Sequence, residues 1–151
     1  RGRLPPPGGN MLKISTRGQY ALLIMTDLAE AEDGAFIPLK TLSHRRNLSV
    51  KYLEQILIQL GKAGLVTGSR GTNGGYKLSK KPGEYTAGEV LRVMEGELSP
   101  RGTSENNHLE SQGNDFFWNE FAENINNFVD SITLEELAQK NKAFVGYEYC
   151  I

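Results

Sequence analysis

The sequence predicts a mostly α-helical fold with one small β-hairpin, and three observations predict it. Apolar residues recur at helical spacing in several segments. One stretch only switches to a short, glycine-punctuated strand pattern, and a long aromatic stripe at helical spacing follows nearer the C-terminal end. A chain of 151 residues suits one ordinary domain, or a small domain with an appended helical element, and can bury a real core.

Taken in order, Ser15 and Thr16 can each cap a helix, and the segment after them, RGQYALLIMTDLAEAED, places Ala21, Ile24, Met25 and Leu28 on one side. Gly34 is expected to stop that helix. Pro38 opens LKTLSHRR, with Leu39 and Leu42 one turn apart. Next come Asn47, Leu48 and Ser49, and then VKYLEQILIQLGKAG, in which Ser49 is a good N-cap. Leu53, Ile56, Leu57 and Leu60 form the apolar stripe of this second helix, and Gly64 ends it. Two helices joined by a turn of about three residues carry the helix-turn-helix signature.

The period then changes. Residues 65–70 read as a strand, 71–75 as a turn and 76–79 as a return strand, so a hairpin directly follows the second helix and makes a wing. Thr86 can cap AGEVLRVMEGEL. Residues 99–114 are polar and aperiodic and are expected to form a loop. A long helix is expected over 115–131, with Phe117, Trp118, Phe121, Ile125, Phe128, Val129 and Ile132 along one side. Thr133 caps a short helix, LEELAQK, before an aromatic-rich last segment, AFVGYEYCI.

The predicted architecture is therefore a winged helix-turn-helix domain over 11–85, followed by an effector and dimerisation region over 86–151. Residues 1–10, RGRLPPPGGN, precede Met11, which reads as a native start; they are expected to be a flexible tail or the remnant of an added sequence. The long helix carries more large apolar side chains than a small wing domain can cover, so Phe117, Trp118, Phe121, Ile125 and Phe128 are expected to pack on a twin helix in a homodimer.

Charge points to a polyanionic partner for one part of the molecule. The net charge of -1 conceals nine Lys or Arg against a single acid between Lys40 and Lys81, and thirteen acids against four bases from Pro82 onward. The basic block coincides with the helix-turn-helix and the wing. The second helix of such a pair enters the major groove of DNA, and Ser49, Lys51, Tyr52, Glu54 and Gln55 lie on its N-terminal, outward side. Arg70 sits at the wing tip among glycines, suited to a minor groove or a phosphate. Arg45, Arg46, Lys77, Lys80 and Lys81 are expected to supply phosphate contacts that carry no sequence information.

Other function classes lack support. Cys150 is the single cysteine, so neither an intrachain disulfide nor a cysteine cage for a metal can form. No apolar run nears the roughly 20 residues that span a bilayer, and no secretory leader is recognisable, so a cytoplasmic protein is expected. The glycine cluster lacks the Lys-Ser/Thr ending of a nucleotide loop, and Ser15, Thr16 and Ser49 have no His and Asp at catalytic spacing. His44 and His108 read as surface residues. No enzyme is expected. The competing class is a protein-interaction module with little DNA binding, and the basic block argues against it.

The segments KISTRGQYA (13–21), YLEQ (52–55), AGLV (63–66), RGTNGGY (70–76) and ITLEEL (132–137) together resemble the bacterial Rrf-two family of winged-helix repressors. The resemblance runs from Met11 to the end. It implies a homodimer on operator DNA, read by the helix at 49–62 and the wing around Arg70, with the long helix near Trp118 crossing to the partner. It adds Ser15, Thr16, Arg17, Tyr20, Gly71 and Tyr76 to the DNA-facing set.

Several members hold an iron-sulfur cluster through three cysteines in the loop before the long helix. Here 99–114 contains no cysteine, and Glu105, His108, Glu110 and Asp115 cannot replace a full thiolate set, so no cofactor and no metal are expected. The cysteine-free segment 87–100 and the aromatic tail are most similar to the subgroup that represses cysteine metabolism in Gram-positive bacteria. That similarity implies cysteine synthase as a protein partner, with O-acetylserine relieving the complex. It also suggests that Tyr149, Cys150 and Ile151 form a docking tail like the isoleucine-ended peptide of serine acetyltransferase; the other reading packs this tail on the dimer. A redox role for the lone Cys150 thiol is a further alternative, although Glu148 beside it disfavours the thiolate.

Overall fold

Among the residues that the computed structural model describes, 13–31, 34–101 and 112–149, there are six α-helices and one two-stranded antiparallel sheet. Helix α1 (Thr16–Ala29) begins where Ser15, rather than Thr16, provides the cap: its hydroxyl accepts the Gly18 N–H at 3.0 Å. The helix ends at Ala29, before the expected stop at Gly34. Leu28 is the last fully buried residue of its stripe among those described, and Ala29 after it is only partly covered.

Helix α2 (Leu39–Arg46) starts after Pro38 and ends on Asn47, which takes the left-handed conformation at φ 52°. Asn tolerates that region better than most residues, which explains the sharp turn into the next helix. Ser49 then caps α3 (Val50–Lys62) by accepting the Tyr52 N–H at 3.1 Å, and Gly64 follows its end at φ 79°.

The wing is narrower than the alternating pattern suggested. Strand β1 (Val66–Ser69) pairs with β2 (Gly75–Leu78), leaving Leu65, Arg70 and Ser79 outside the ladder and bringing Gly75 into it. Leu65 is excluded because it is buried and its N–H closes the end of α3 on Leu60 at 3.0 Å. On its other edge β2 is bridged by Ile37, whose N–H and C=O exchange bonds of 2.8 and 2.9 Å with Tyr76. The wing is thereby fastened to the segment that enters α2.

Helix α4 (Ala87–Glu95) is capped by Thr86 and stops at Gly96 (φ 77°), short of the predicted Glu97 and Leu98. Helix α5 (Gln112–Ser131) starts within the expected loop, so 112–114 are helical. Asp115 in its first turn suits the helix dipole and pairs with Arg101 at 2.8 Å, which steadies that start. Helix α6 (Leu134–Tyr149) is more than twice the expected LEELAQK. Once a helix is nucleated each added residue is inexpensive, and the single Gly146 does not stop it.

The core gathers Ile24 and Met25 of α1, Leu42 of α2, Leu53, Ile56, Leu57 and Leu60 of α3, Val90 of α4 and Leu134 of α6, all without exposed surface. Tyr85 is equally buried, with both hydroxyl functions used: it donates to the Leu65 carbonyl at 2.7 Å and accepts the Lys80 N–H at 2.9 Å. No described helix is long and apolar enough to cross a membrane.

Candidate nucleic-acid interface

One ion pair joins the helix-turn-helix to α1, beside the apolar core that the two share. Asp27 of α1 is completely buried, and Arg46, the last residue of α2, grips it with two bonds, from Nε to Oδ2 at 2.7 Å and from Nη2 to Oδ1. The hydrogen bonds to Asp27 hold the guanidinium pKa above its ordinary value, against the opposing effect of burial. Two nitrogens of the Arg46 fork are therefore committed to Asp27 rather than free for the phosphate contacts expected of it. Arg45 beside it is exposed.

Helix α3 separates its faces cleanly: Leu53, Ile56, Leu57 and Leu60 are buried, while Lys51, Glu54 and Gln55 are exposed. Two of the expected readers are partly engaged. The Ser49 hydroxyl holds the helix cap, and Tyr52 is half-buried with its ring edge-on to Tyr20 of α1 at 6.1 Å. Two exposed apolar residues, Val50 and Ile58, also lie on α3 and were missed by the sequence reading, which treated apolar positions as core.

At the start of α1, Thr16 is exposed and Arg17 half-buried, with an Nε that finds no partner among the described atoms. Ser15 is held from the far side: its N–H donates to Glu95 of α4 at 2.9 Å, and its hydroxyl bonds the same oxygen. Gly18 makes this approach feasible, since any Cβ there would collide with the Glu95 carboxylate. Sequence spacing offers no signal for a contact across 80 positions.

In the wing, Arg70 and Gly71 are exposed at the tip, whereas Tyr76 is half-buried and its ring lies against Gly68. The Lys77 amine sits 4.7 Å above the Phe36 ring, and Lys80 sits 5.0 Å above Tyr85 and 3.7 Å from Glu89. Lys81 is exposed.

Helix α5 is fastened to α4 by Arg92, which forks onto Asp130 at 2.7 and 2.8 Å and reaches Asn126 at 2.7 Å. Gly88 lets the two helices come this close, because a side chain there would strike Asp130 and Val129. The bond from Arg92 lowers the Asp130 pKa below its ordinary 3.8. A carboxylate with a depressed folded pKa adds stability above its unfolded pKa and loses it as pH falls through the folded one. Asp130→Asn is therefore expected to unfold at a temperature less sensitive to acidification from about pH 5 to 3 than the parent chain, a modest difference because the pair is solvent-exposed. Thermal melts at both pH values check this.

The aromatic stripe divides. Trp118, Phe121 and Ile125 are half-buried, and Phe117, Trp118 and Phe121 cluster with ring separations of 5.1 to 6.3 Å. Phe117 and Phe128 remain exposed, as does Phe116, which lies about 100° around the helix from Phe117 and was absent from the sequence-derived set. Helix α5 has no buried residue at all. Of the tail, Tyr149 is the last residue of α6, and Cys150 and Ile151 lie outside the described residues.

A family model for Rrf2, described as an iron-dependent transcriptional regulator, matches residues 14–140. The chain belongs to the Rrf2 family. This Rrf2 protein is 40% identical over 127 residues to the HTH-type transcriptional regulator CymR of Bacillus subtilis, spanning 84% of this chain and 90% of that one. The solved structure of the same regulator, described as the global cysteine regulator of B. subtilis, superposes with a TM-score of 0.77 over 85% of this chain and 98% of that one. The oxidized form of Staphylococcus aureus CymR is similar at 36% identity and a TM-score of 0.70, over 84% of this chain and 96% of that one. The HTH-type regulator IscR of Aliivibrio salmonicida is 34% identical over 87% of this chain and 80% of its own. These relatives are transcriptional regulators, and this Rrf2 protein is one by fold and family, not an enzyme.

The iron in the family description finds no matching donor set here. Cys150 is the sole cysteine in the chain, and no group of three or more His, Cys, Asp or Glu among the described residues could hold a metal ion. An iron-sulfur cluster requires several thiolates, so the donors of this Rrf2 protein do not fit one.

Proposed function

We propose that the protein is a homodimeric, operator-binding repressor of cysteine and sulfur metabolism genes that works in the cytoplasm without a bound cluster. The observation that carries this reading is α3: a polar outer face of Lys51, Glu54 and Gln55 on a helix whose opposite face is locked in the core, next to a wing tip bearing Arg70. Similarity to a global cysteine regulator supports the choice of genes. Fluorescence anisotropy on promoter fragments from sulfur-metabolism operons tests it, with nanomolar, salt-dependent binding expected. Arg70→Ala is expected to weaken binding and to lower the salt slope by about one, as loss of one phosphate or groove contact does. Equal affinity for these and unrelated fragments overturns the reading.

Dimerisation through α5 is supported by the exposed Phe117 and Phe128 on a helix with no fully buried residue among those described. Phe128→Glu is expected to give monomers by analytical ultracentrifugation, because a charge in an apolar two-fold contact meets its own copy.

The finer reading is that cysteine synthase tightens operator binding and O-acetylserine reverses the effect, with Tyr149, Cys150 and Ile151 docking on the enzyme. The anisotropy titration repeated with both additions tests it, and unchanged affinity rejects it. The oxidized form of a 36% identical relative favours a second reading, control through the Cys150 thiol. A peroxide response that survives Cys150→Ser rejects that.

A further inference from the structure

The first turn of α3 is where a recognition helix meets base edges. Its four candidate side chains are unequal. The Ser49 hydroxyl is occupied by the cap on Tyr52, and the Tyr52 ring is half-buried against Tyr20. Lys51 is exposed with no hydrogen bond or ion pair among the described residues, and Val50 beside it is 41% exposed. A β-branched residue does little to favour the first turn of a helix, and with 41% of its surface exposed Val50 gains only part of what burial would give. Residues that break a local rule without compensation are found where function needs them.

The major groove offers one apolar group on a base edge, the C5 methyl of thymine. We infer that Val50 reads a thymine methyl and is a specificity-determining residue of the operator contact, an inference that rests on the proposed DNA-binding role of α3. Lys51 and Gln55 hydrogen-bond neighbouring bases or phosphates, and Val50 excludes water from one methyl at each half-site. Ile58, the other exposed apolar residue, lies roughly 12 Å further along the helix axis and takes no part in that contact.

The test begins with selection of bound sites from a pool of random-sequence DNA duplexes by the full-length protein. Each thymine of the selected site is then replaced singly by deoxyuridine, which removes the methyl and nothing else, and affinities are measured for the parent chain, Val50→Ala and Ile58→Ala. Burial of one methyl predicts that a single thymine per half-site loses about fourfold in affinity when substituted. Val50→Ala is expected to lose a similar factor on the unmodified site and to be indifferent to the methyl, while its affinity for unrelated DNA is unchanged. Ile58→Ala is expected to keep the methyl dependence. A parent chain indifferent to every substitution overturns the inference while leaving the DNA-binding reading intact. So does methyl dependence that persists in Val50→Ala or vanishes in Ile58→Ala. Failure to select any site overturns both.

Discussion

Replacing Arg46 by alanine is expected to destabilise the protein by about 3 kcal/mol, a fall in melting temperature of about 6–12 °C. The reason is the asymmetry of the pair. Asp27 has no exposed surface, and without the guanidinium its buried carboxylate loses the cation bonded to it. The side chain of Arg46 is 28% exposed, so the effect falls toward the lower end for buried pairs. Because the pair ties the end of α2 to α1, its loss is expected to loosen that end of the helix-turn-helix, and DNA affinity is expected to fall with stability. The double variant Asp27→Leu with Arg46→Met separates the two consequences. Exchanging a whole buried pair for apolar groups is often neutral, so the double variant is expected to recover most of the melting temperature. Urea or thermal unfolding of the single and double variants measures this. A single variant as stable as the parent would show that the pair contributes nothing net.

Gly75→Ala is the second substitution of large effect, and it acts on the wing. Gly75 has φ 148°, outside the range L side chains favour, and a Cβ there would fall onto the Ile37 carbonyl, with its carbon 2.5 Å and Pro38 N 2.8 Å away. Both obstacles are backbone, so no side-chain rotation relieves them. Strain from the backbone angle and from overpacking together suggest a cost of about 3 kcal/mol. The hairpin relieves this by parting from Ile37, which breaks the two bonds between Ile37 and Tyr76. The expected result is a protein whose helices still melt cooperatively while the wing amides lose hydrogen-exchange protection and DNA affinity falls. Gly71, with φ 103° but open space around it, provides the comparison: alanine there meets only the backbone penalty and is expected to cost less.

Much of the fold was legible because it depends on local periodicity. The stripe of Leu53, Ile56, Leu57 and Leu60, the caps at Ser49 and Thr86, and the glycine-rich reversal, at 70–74 rather than 71–75, each declare an element within a dozen residues. Ends were less legible. Helix α1 stops where its buried contacts run out, five residues before Gly34, and α6 continues past Lys140 because propagation is inexpensive. The outward side of α3 was readable for its polar residues, yet Val50 and Ile58 were assigned no role there, since hydrophobicity alone does not distinguish a core position from an exposed one.

What the sequence determined by itself was the order of the elements, the core stripes of α1 and α3, the basic block over the helix-turn-helix and the lack of thiolates for a cluster. These follow from residue type and near-neighbour spacing. What only the tertiary structure decided was which polar groups are free to meet a partner. Arg46 goes to Asp27 across 19 positions, Ser15 to Glu95 across 80, Arg92 to Asp130 across 38, and the Tyr85 hydroxyl to Leu65 across 20. A basic or hydroxyl side chain looks the same in sequence whether it faces DNA or a buried carboxylate, because that choice depends on where distant segments pack.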